Sequence, residues 1–268
     1  MPLTLFDSHC HFDFEVFDEM RVSLWGQCQK SHIAGLIMPG IKQTQWLVAQ
    51  DLAHNYSGSF FSVGLHPWFI QYEDDVLEEA SRALSDTGTF LADDLCVAVG
   101  ECGLDTNIDV PMPTQVHLLE QHIELANEFG LPLILHCVKA HATLLETLKR
   151  HPLTNGGVIH AFSGSPEVAK RYIDQGLYLG IGGTITYERA QKTRRAAKQM
   201  PLEHLLLETD APSMPLSGKQ GETNSPLYLP EVARTLAALR DEPIEHIANT
   251  TTDSAYRLFG INHAKQEK

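Results

Sequence analysis

The chain has 268 residues, 43% of them hydrophobic, enough to build a sizeable core as one domain over 1–268. No apolar run approaches the ~20 residues a bilayer-spanning helix needs, and five cysteines without a CxxC pair indicate neither a disulfide framework nor a thiolate zinc site. A formal charge of −14 argues against long-range attraction to nucleic acid, although cations bound at a site can reverse the local field.

The N-terminus enters a strand-like segment at once, with no basic leader or apolar signal core, so a cytoplasmic protein with no membrane partner is expected. Along the chain, short apolar runs alternate with longer amphipathic stretches. Strands are predicted at 3–11, 35–40, 59–66, 96–103, 131–137, 156–162, 177–182 and 204–210. Helices are predicted near 44–55, 75–85, 114–129, 139–150, 165–176 and 187–200, with 226–239 and 243–259 closing the chain. In the third of these, Leu118, Leu119, His122, Leu125, Ala126 and Phe129 fall on one stripe, Pro113-Thr114 offers a start and Gly130 a stop. Such alternation calls for parallel strands with right-handed crossovers. Eight strands favour a closed TIM-type (β/α)8 barrel over an open sheet, because closure brings the first and last strands together. The Gly-, Ser- and Asn-rich segment 213–226 reads as a long loop at the barrel mouth.

The most informative feature is His9-Cys10-His11 at the end of the first apolar segment. On a strand the side-chain period of 2 projects both imidazoles from one face, where they can grip one divalent cation. Further ligand types stand where later strands give way to loops: Glu101 after Val97–Gly100, His136 after Leu133–Leu135, His160 after Gly157–Ile159, and Asp210 after Leu205–Thr209. Barrel enzymes build their sites from these strand ends. Four imidazoles and two carboxylates exceed the needs of a single catalytic zinc and suit two metals about 3.5–4 Å apart. Glu101 is the expected bridge, its strand lying between the two groups in sequence. The expected split is His9, His11, Glu101 and Asp210 on one ion, with Glu101, His136 and His160 on the other. Asp210 is also placed to orient and deprotonate a nucleophilic water, so the predicted reaction class is hydrolysis. Cys10, Cys102 and Cys137 each follow a ligand, and alternation turns them away towards the helices as packing residues.

These residues resemble the TatD family of metal-dependent deoxyribonucleases, in the amidohydrolase-like barrel superfamily. The matching segments are Asp7-Ser8-His9-Cys10-His11-Phe12-Asp13, Gly64-Leu65-His66-Pro67, Val99-Gly100-Glu101-Cys102-Gly103-Leu104-Asp105, Leu135-His136, His160-Ala161-Phe162-Ser163-Gly164 and Glu208-Thr209-Asp210-Ala211-Pro212. Gly182–Tyr187 and Ala211–Pro215 are more similar to the YjjV-type branch. The resemblance implies a divalent-metal site on the six residues above and phosphodiester hydrolysis, with DNA as substrate. Two divalent ions per subunit are expected, as zinc, manganese or magnesium. Where the family often carries Ser-Arg after the fifth-strand histidine, this chain has Cys137-Val138, with Lys139 next.

Around the metals, His66 is assigned a substrate contact or protonation of the leaving group, and Glu208 a role orienting a ligand histidine. Tyr187, Arg189 and Lys192 are candidate substrate contacts, the first by stacking on a base and the others by holding phosphates. Arg194 and Arg195 read as a solvated helix face. Trp68 and Phe69 either meet a base or close the barrel. The leading expectation is a monomeric phosphodiesterase cleaving single-stranded DNA or a frayed end. The rivals are a hydrolase of a small-molecule lactone, amide or phosphoester on the same barrel and a non-enzymatic metal-binding protein.

Overall fold

The computed structural model describes residues 3–70, 81–84 and 86–262. Eight parallel strands form one sheet in sequential order: β1 (Leu5–Asp7), β2 (Ile33–Met38), β3 (Ser59–Val63), β4 (Cys96–Asp105), β5 (Leu133–Val138), β6 (Gly157–Ile159), β7 (Leu177–Ile181) and β8 (Leu205–Leu207). The ring closes between its ends. Ser8 donates its amide to the Leu207 carbonyl (2.9 Å), Asp210 to His9 (2.9 Å) and His11 to Ala211 (2.8 Å). This is the (β/α)8 barrel that the alternation predicts.

Three predicted strands are shorter than expected. β1, β6 and β8 end at Asp7, Ile159 and Leu207, so His9, His11, His160 and Asp210 lie just beyond the ladder rather than on it. The chain past β1 keeps bonds to both sides, Cys10 donating to the Ile37 carbonyl (3.0 Å) and His11 to Ala211. These bonds hold the two histidines where alternation on a longer strand would have put them.

The predicted helices recur at Gln43–Asn55, Met112–Phe129, His141–Arg150, Pro166–Ile173, Gln191–Gln199, Leu229–Arg240 and Ile244–Phe259. Gly130 ends the second of these in the left-handed conformation (φ 66°). Of the helix expected at 75–85, residues 75–80 and 85 lie outside the described residues, and 81–84 are helical. A helix at Arg21–Lys30 was not predicted. It buries Arg21, Leu24, Trp25 and Cys28 at i, i+3, i+4 and i+7 and exposes Val22, so its inward stripe begins with a charge. That charge is satisfied locally: the Arg21 guanidinium donates to the Phe12 carbonyl (2.9 Å), the Phe14 carbonyl (3.1 Å) and Asp18 (2.7 Å). Among the described residues no helix is long and apolar enough to cross a membrane.

His122 ties an outer helix to the mouth of the barrel. Its Nε2 accepts the Leu65 amide (3.0 Å), next to His66, and its Nδ1 meets the Leu118 carbonyl (2.6 Å). Burial pushes its pKa down from 6.5 to about 4. A depressed native pKa yields stability that is whole above the unfolded value and is lost as pH falls from there towards 4. In the variant His122→Gln, which keeps a donor and an acceptor, the loss of unfolding free energy between about pH 7.5 and 4.5 should shrink by roughly 2–3 kcal/mol. Urea unfolding at the two pH values measures it.

Candidate metal centre

Glu101 is the hub. β4 and β5 pair Val99 with Leu133 and then Cys102 with Leu135, so β4 carries one extra residue between them. Such a bulge re-aims a side chain, and here it sends the Glu101 carboxylate into the barrel mouth. Gly100, at φ 119°, allows the close approach: a Cβ there would stand 2.5 Å from the Ile134 carbonyl oxygen.

The two oxygens of Glu101 face different partners. Oε2 lies 3.2 Å from Nε2 of His9 and 4.0 Å from Nε2 of His11. Oε1 lies 3.2 Å from Nδ1 of His136, 3.1 Å from Nε2 of His160 and 3.2 Å from Nε2 of His66. Asp210 completes the first side, its Oδ1 3.5 Å from His9 and 3.6 Å from His11. Among the described residues three groups converge closely enough to hold a metal: His9 with His11 and Glu101, His9 with His160 and Asp210, and His66 with Glu101 and His136. All seven side chains are buried.

The donor set fits divalent cations. Nε2 of His9 and Nδ1 of His136, the nitrogens that face Glu101, are buried without a hydrogen-bond partner. Lone pairs of that kind cost free energy unless something binds them. For two of the imidazoles the electrostatics agree. Burial lowers the His9 pKa to about 4, and burial also carries that of His11 well below its ordinary value, so both rings are neutral donors. Burial opposes ionisation of Glu101, yet the imidazoles of His160, His66 and His9 bring its pKa well below the usual carboxylate range. Burial lifts Asp210 to about 8. Burial opposes charge on His160 too, but Glu101, Glu208 and Asp210 raise its pKa well above that of a free imidazole.

Two carboxylates behind the ligands set their orientation. Nε2 of His136 lies 3.1 Å from Oδ2 of Asp105, which turns Nδ1 towards Glu101. Oε1 of Glu208 accepts the Ala161 amide (2.5 Å) and stands 3.7 Å from Nδ1 of His160. Gly180 makes room for Glu208, since a Cβ there would come within 2.2 Å of Oε2. His66 differs from the other imidazoles. Its Nδ1 accepts the Trp68 amide (3.0 Å), and burial lowers its pKa, so the neutral ring carries its proton on Nε2. That nitrogen is a hydrogen-bond donor into the site.

The remaining candidates separate. His66, Trp68, Phe69 and Lys139 line the same cavity as the ligands, together with Ser213 and Met214 from the predicted mouth loop. The Asn224 side chain pins that loop to the Thr209 (2.8 Å) and Ser213 (2.7 Å) carbonyls. Tyr187, Arg189 and Lys192 are not among the cavity-lining residues. The Tyr187 hydroxyl donates to the Pro215 carbonyl (2.7 Å), Arg189 stacks on the Tyr187 ring at 4.7 Å, and Lys192 is exposed. Arg194 donates to the Ile185 carbonyl rather than standing free in solvent. Cys10 and Cys102 are buried, whereas Cys137, expected to turn away from the site, lines the cavity and meets His141 (3.3 Å) and the Tyr172 hydroxyl (3.6 Å). Asp105 was overlooked in the sequence as an orienting residue, although it shares the period-2 face of β4 with Gly103 and Glu101.

A parallel barrel with buried imidazoles and carboxylates gathered at its mouth defines the class of metal-dependent hydrolases. The chain belongs to the TatD-related DNase family, whose pattern it matches over residues 6–260. It is 40% identical to the metal-dependent hydrolase YjjV of Escherichia coli (strain K12), over 95% of this chain and 97% of that protein. The crystal structure of that TatD homologue superposes with a TM-score of 0.89 at 39% identity, covering 98% of this chain and all of the other. A 3'-5' ssDNA/RNA exonuclease TatD from Cronobacter sakazakii is 31% identical over 95% of this chain and 97% of its own length. The phosphotriesterase homology protein of Escherichia coli shares the fold at 12% identity, with a TM-score of 0.67 over 94% of this chain and 99% of that one.

Removing the orienting carboxylate tests the geometry. Asp105→Ala should weaken binding of zinc or manganese by about 10–100-fold. Competition against a chromophoric chelator reads the affinity directly, and an unchanged value would show that Asp105 does not orient His136 for a metal.

Proposed function

We propose that the chain is a phosphodiesterase that holds two divalent cations and removes nucleotides from an end of single-stranded DNA. The observation that carries the reading is the division of Glu101: one oxygen faces His9 and His11, the other faces His136 and His160. A carboxylate so placed suits a bridge between two ions, with Asp210 on the His9–His11 side. The imidazole-rich set favours zinc or manganese, and magnesium is the remaining choice. The cavity above measures about 620 Å³, the size of a small-ligand pocket, which suits a strand end better than intact duplex. The exonuclease name borne by the Cronobacter relative points the same way.

When bound, the cations supply Lewis acidity towards a phosphoryl oxygen and make water a better acid. Asp210 then takes the proton of the attacking water as its oxygen bonds to phosphorus. The Nε2–H of His66 donates a hydrogen bond to the departing oxygen as the phosphorus–oxygen ester bond breaks, and the proton taken up by Asp210 passes to that oxygen. Asp105 and Glu208 keep His136 and His160 in register. Lys139, on the cavity wall, is available to a flanking phosphate. A second reading, hydrolysis of a small phosphoester, lactone or amide, is favoured by the charge of −14 and by the position of Arg189 and Lys192 away from the cavity.

End-labelled single-stranded DNA and a panel of small esters separate the two. With manganese, progressive shortening of the DNA is expected, with loss by chelation and by Glu101→Ala. Asp210→Asn should lower the rate by about 10²–10⁴-fold, the ordinary contribution of a general base. Turnover confined to the small molecules would replace the first reading with the second.

A further inference from the structure

Trp68 is the exposed tryptophan of this chain, with 61% of its surface accessible, whereas Trp25 and Trp46 are 6% and 0% accessible. Exposed indoles are usually free to turn, but this one is held. Its Nε1 donates to Oδ2 of Asp105 at 2.6 Å, and the same oxygen lies 3.1 Å from Nε2 of His136. The ring also stands edge-on to His66 (5.7 Å between centroids, 88°) and near His136 (6.3 Å, 72°). The polar edge of the indole is therefore spent on Asp105, while much of its apolar surface stays open in the cavity that reaches Glu101 and Asp210. Phe69, 46% exposed, continues the apolar wall and carries the Lys42 ammonium 5.7 Å from its ring centroid. Lys139 lies on the same wall, its Nζ bonded to Asn107 at 3.1 Å.

We propose that Trp68 is a base-stacking platform, on which the nucleobase next to the scissile phosphate lies, and that Asp105 fixes this platform and His136 as one rigid unit. The inference rests on the nuclease reading and adds to it the residue that meets the base. A locked indole loses little freedom when a ring stacks on it, and every base has a π-face to offer. Because its N–H is already engaged, Trp68 tells a base from no base but does not tell one base from another. The platform lies on the β3–β4 side of the mouth, opposite in sequence to the Tyr187–Lys192 segment.

Binding is measured on the full-length Asp210→Asn protein with manganese, using tetrathymidylate and an abasic tetramer of equal length. Tetrathymidylate should quench the intrinsic tryptophan fluorescence saturably and bind about tenfold or more tightly than the abasic strand. Trp68→Ala should erase that preference, and Trp68→Phe, which keeps a ring but loses the bond to Asp105, should retain only part of it. In the otherwise wild-type enzyme, Trp68→Ala should raise KM for tetrathymidylate more than it lowers kcat. Equal binding of the two tetramers, absence of quenching, or a base preference that survives Trp68→Ala overturns the inference. Failure of the wild-type enzyme to shorten DNA overturns the nuclease reading instead.

Discussion

Asp7 accepts hydrogen bonds from the Thr209 amide (2.9 Å), the Thr209 hydroxyl (2.6 Å) and the His9 amide (3.3 Å), and so stitches the first strand to the last. The carboxyl is fully buried, and burial pushes its pKa up to about 7. Three donors offset the cost of burying it. The result is a seam across some 200 residues of sequence, reinforced by the Ser8 hydroxyl on the Leu207 carbonyl (3.0 Å). Without that seam His9 and His11 would belong to one edge of a sheet and Asp210 to the other. With it they surround a common space, and Glu101, arriving on a bulge from the fourth strand, completes it. Fold closure and site assembly are the same event.

The proposed nuclease reading has to reconcile an acidic protein with an anionic substrate. On the two-cation reading, roughly +4 of metal charge meets −2 from Glu101 and Asp210, leaving a positive pocket inside a chain of charge −14. The surrounding acidity then repels polyanions at a distance while the mouth attracts a phosphate that reaches it. Such a molecule needs a contact that does not depend on a row of basic side chains. An aromatic face supplies one, since stacking is insensitive to the net charge of the protein.

Much of this was legible in the residues because strands and ligands obey simple periods. His9-x-His11 marked a metal site because extended chain repeats every two residues, and the structure keeps that geometry even though the strand itself stops at Asp7. The C-terminal parts of the fourth, fifth, sixth and eighth apolar runs marked Glu101, His136, His160 and Asp210 because a parallel barrel presents that end of every strand on one rim, although β4 runs on to Asp105 and β5 to Val138. What stayed hidden depends on contacts between distant residues. Nothing local says that Arg21 faces inward, because its partners are carbonyls of a preceding loop. Nothing local says which face of the Tyr187–Lys192 segment meets solvent, and there the basic residues turn outwards. Asp105 looked like the end of a motif until its oxygen was seen shared between an indole and an imidazole.

The five imidazoles around Glu101 show how one side-chain type divides into different chemical roles. Burial favours the neutral form of His9 and His11, and Nδ1 of each and Nε2 of His9 lack hydrogen-bond partners. His136 is turned by the Asp105 carboxylate behind it, which leaves its opposite nitrogen facing Glu101, and Glu208 stands 3.7 Å behind His160. In His66 a backbone amide replaces the carboxylate, and the polarity of the ring reverses. A carboxylate behind a ring draws the proton away from the centre, freeing a lone pair for a cation. An amide behind a ring takes the lone pair instead and leaves the proton at the centre. The group behind His136 and the group behind His66 therefore decide whether the nitrogen facing the centre offers a lone pair or an N–H, and the Trp68 amide makes that choice for His66.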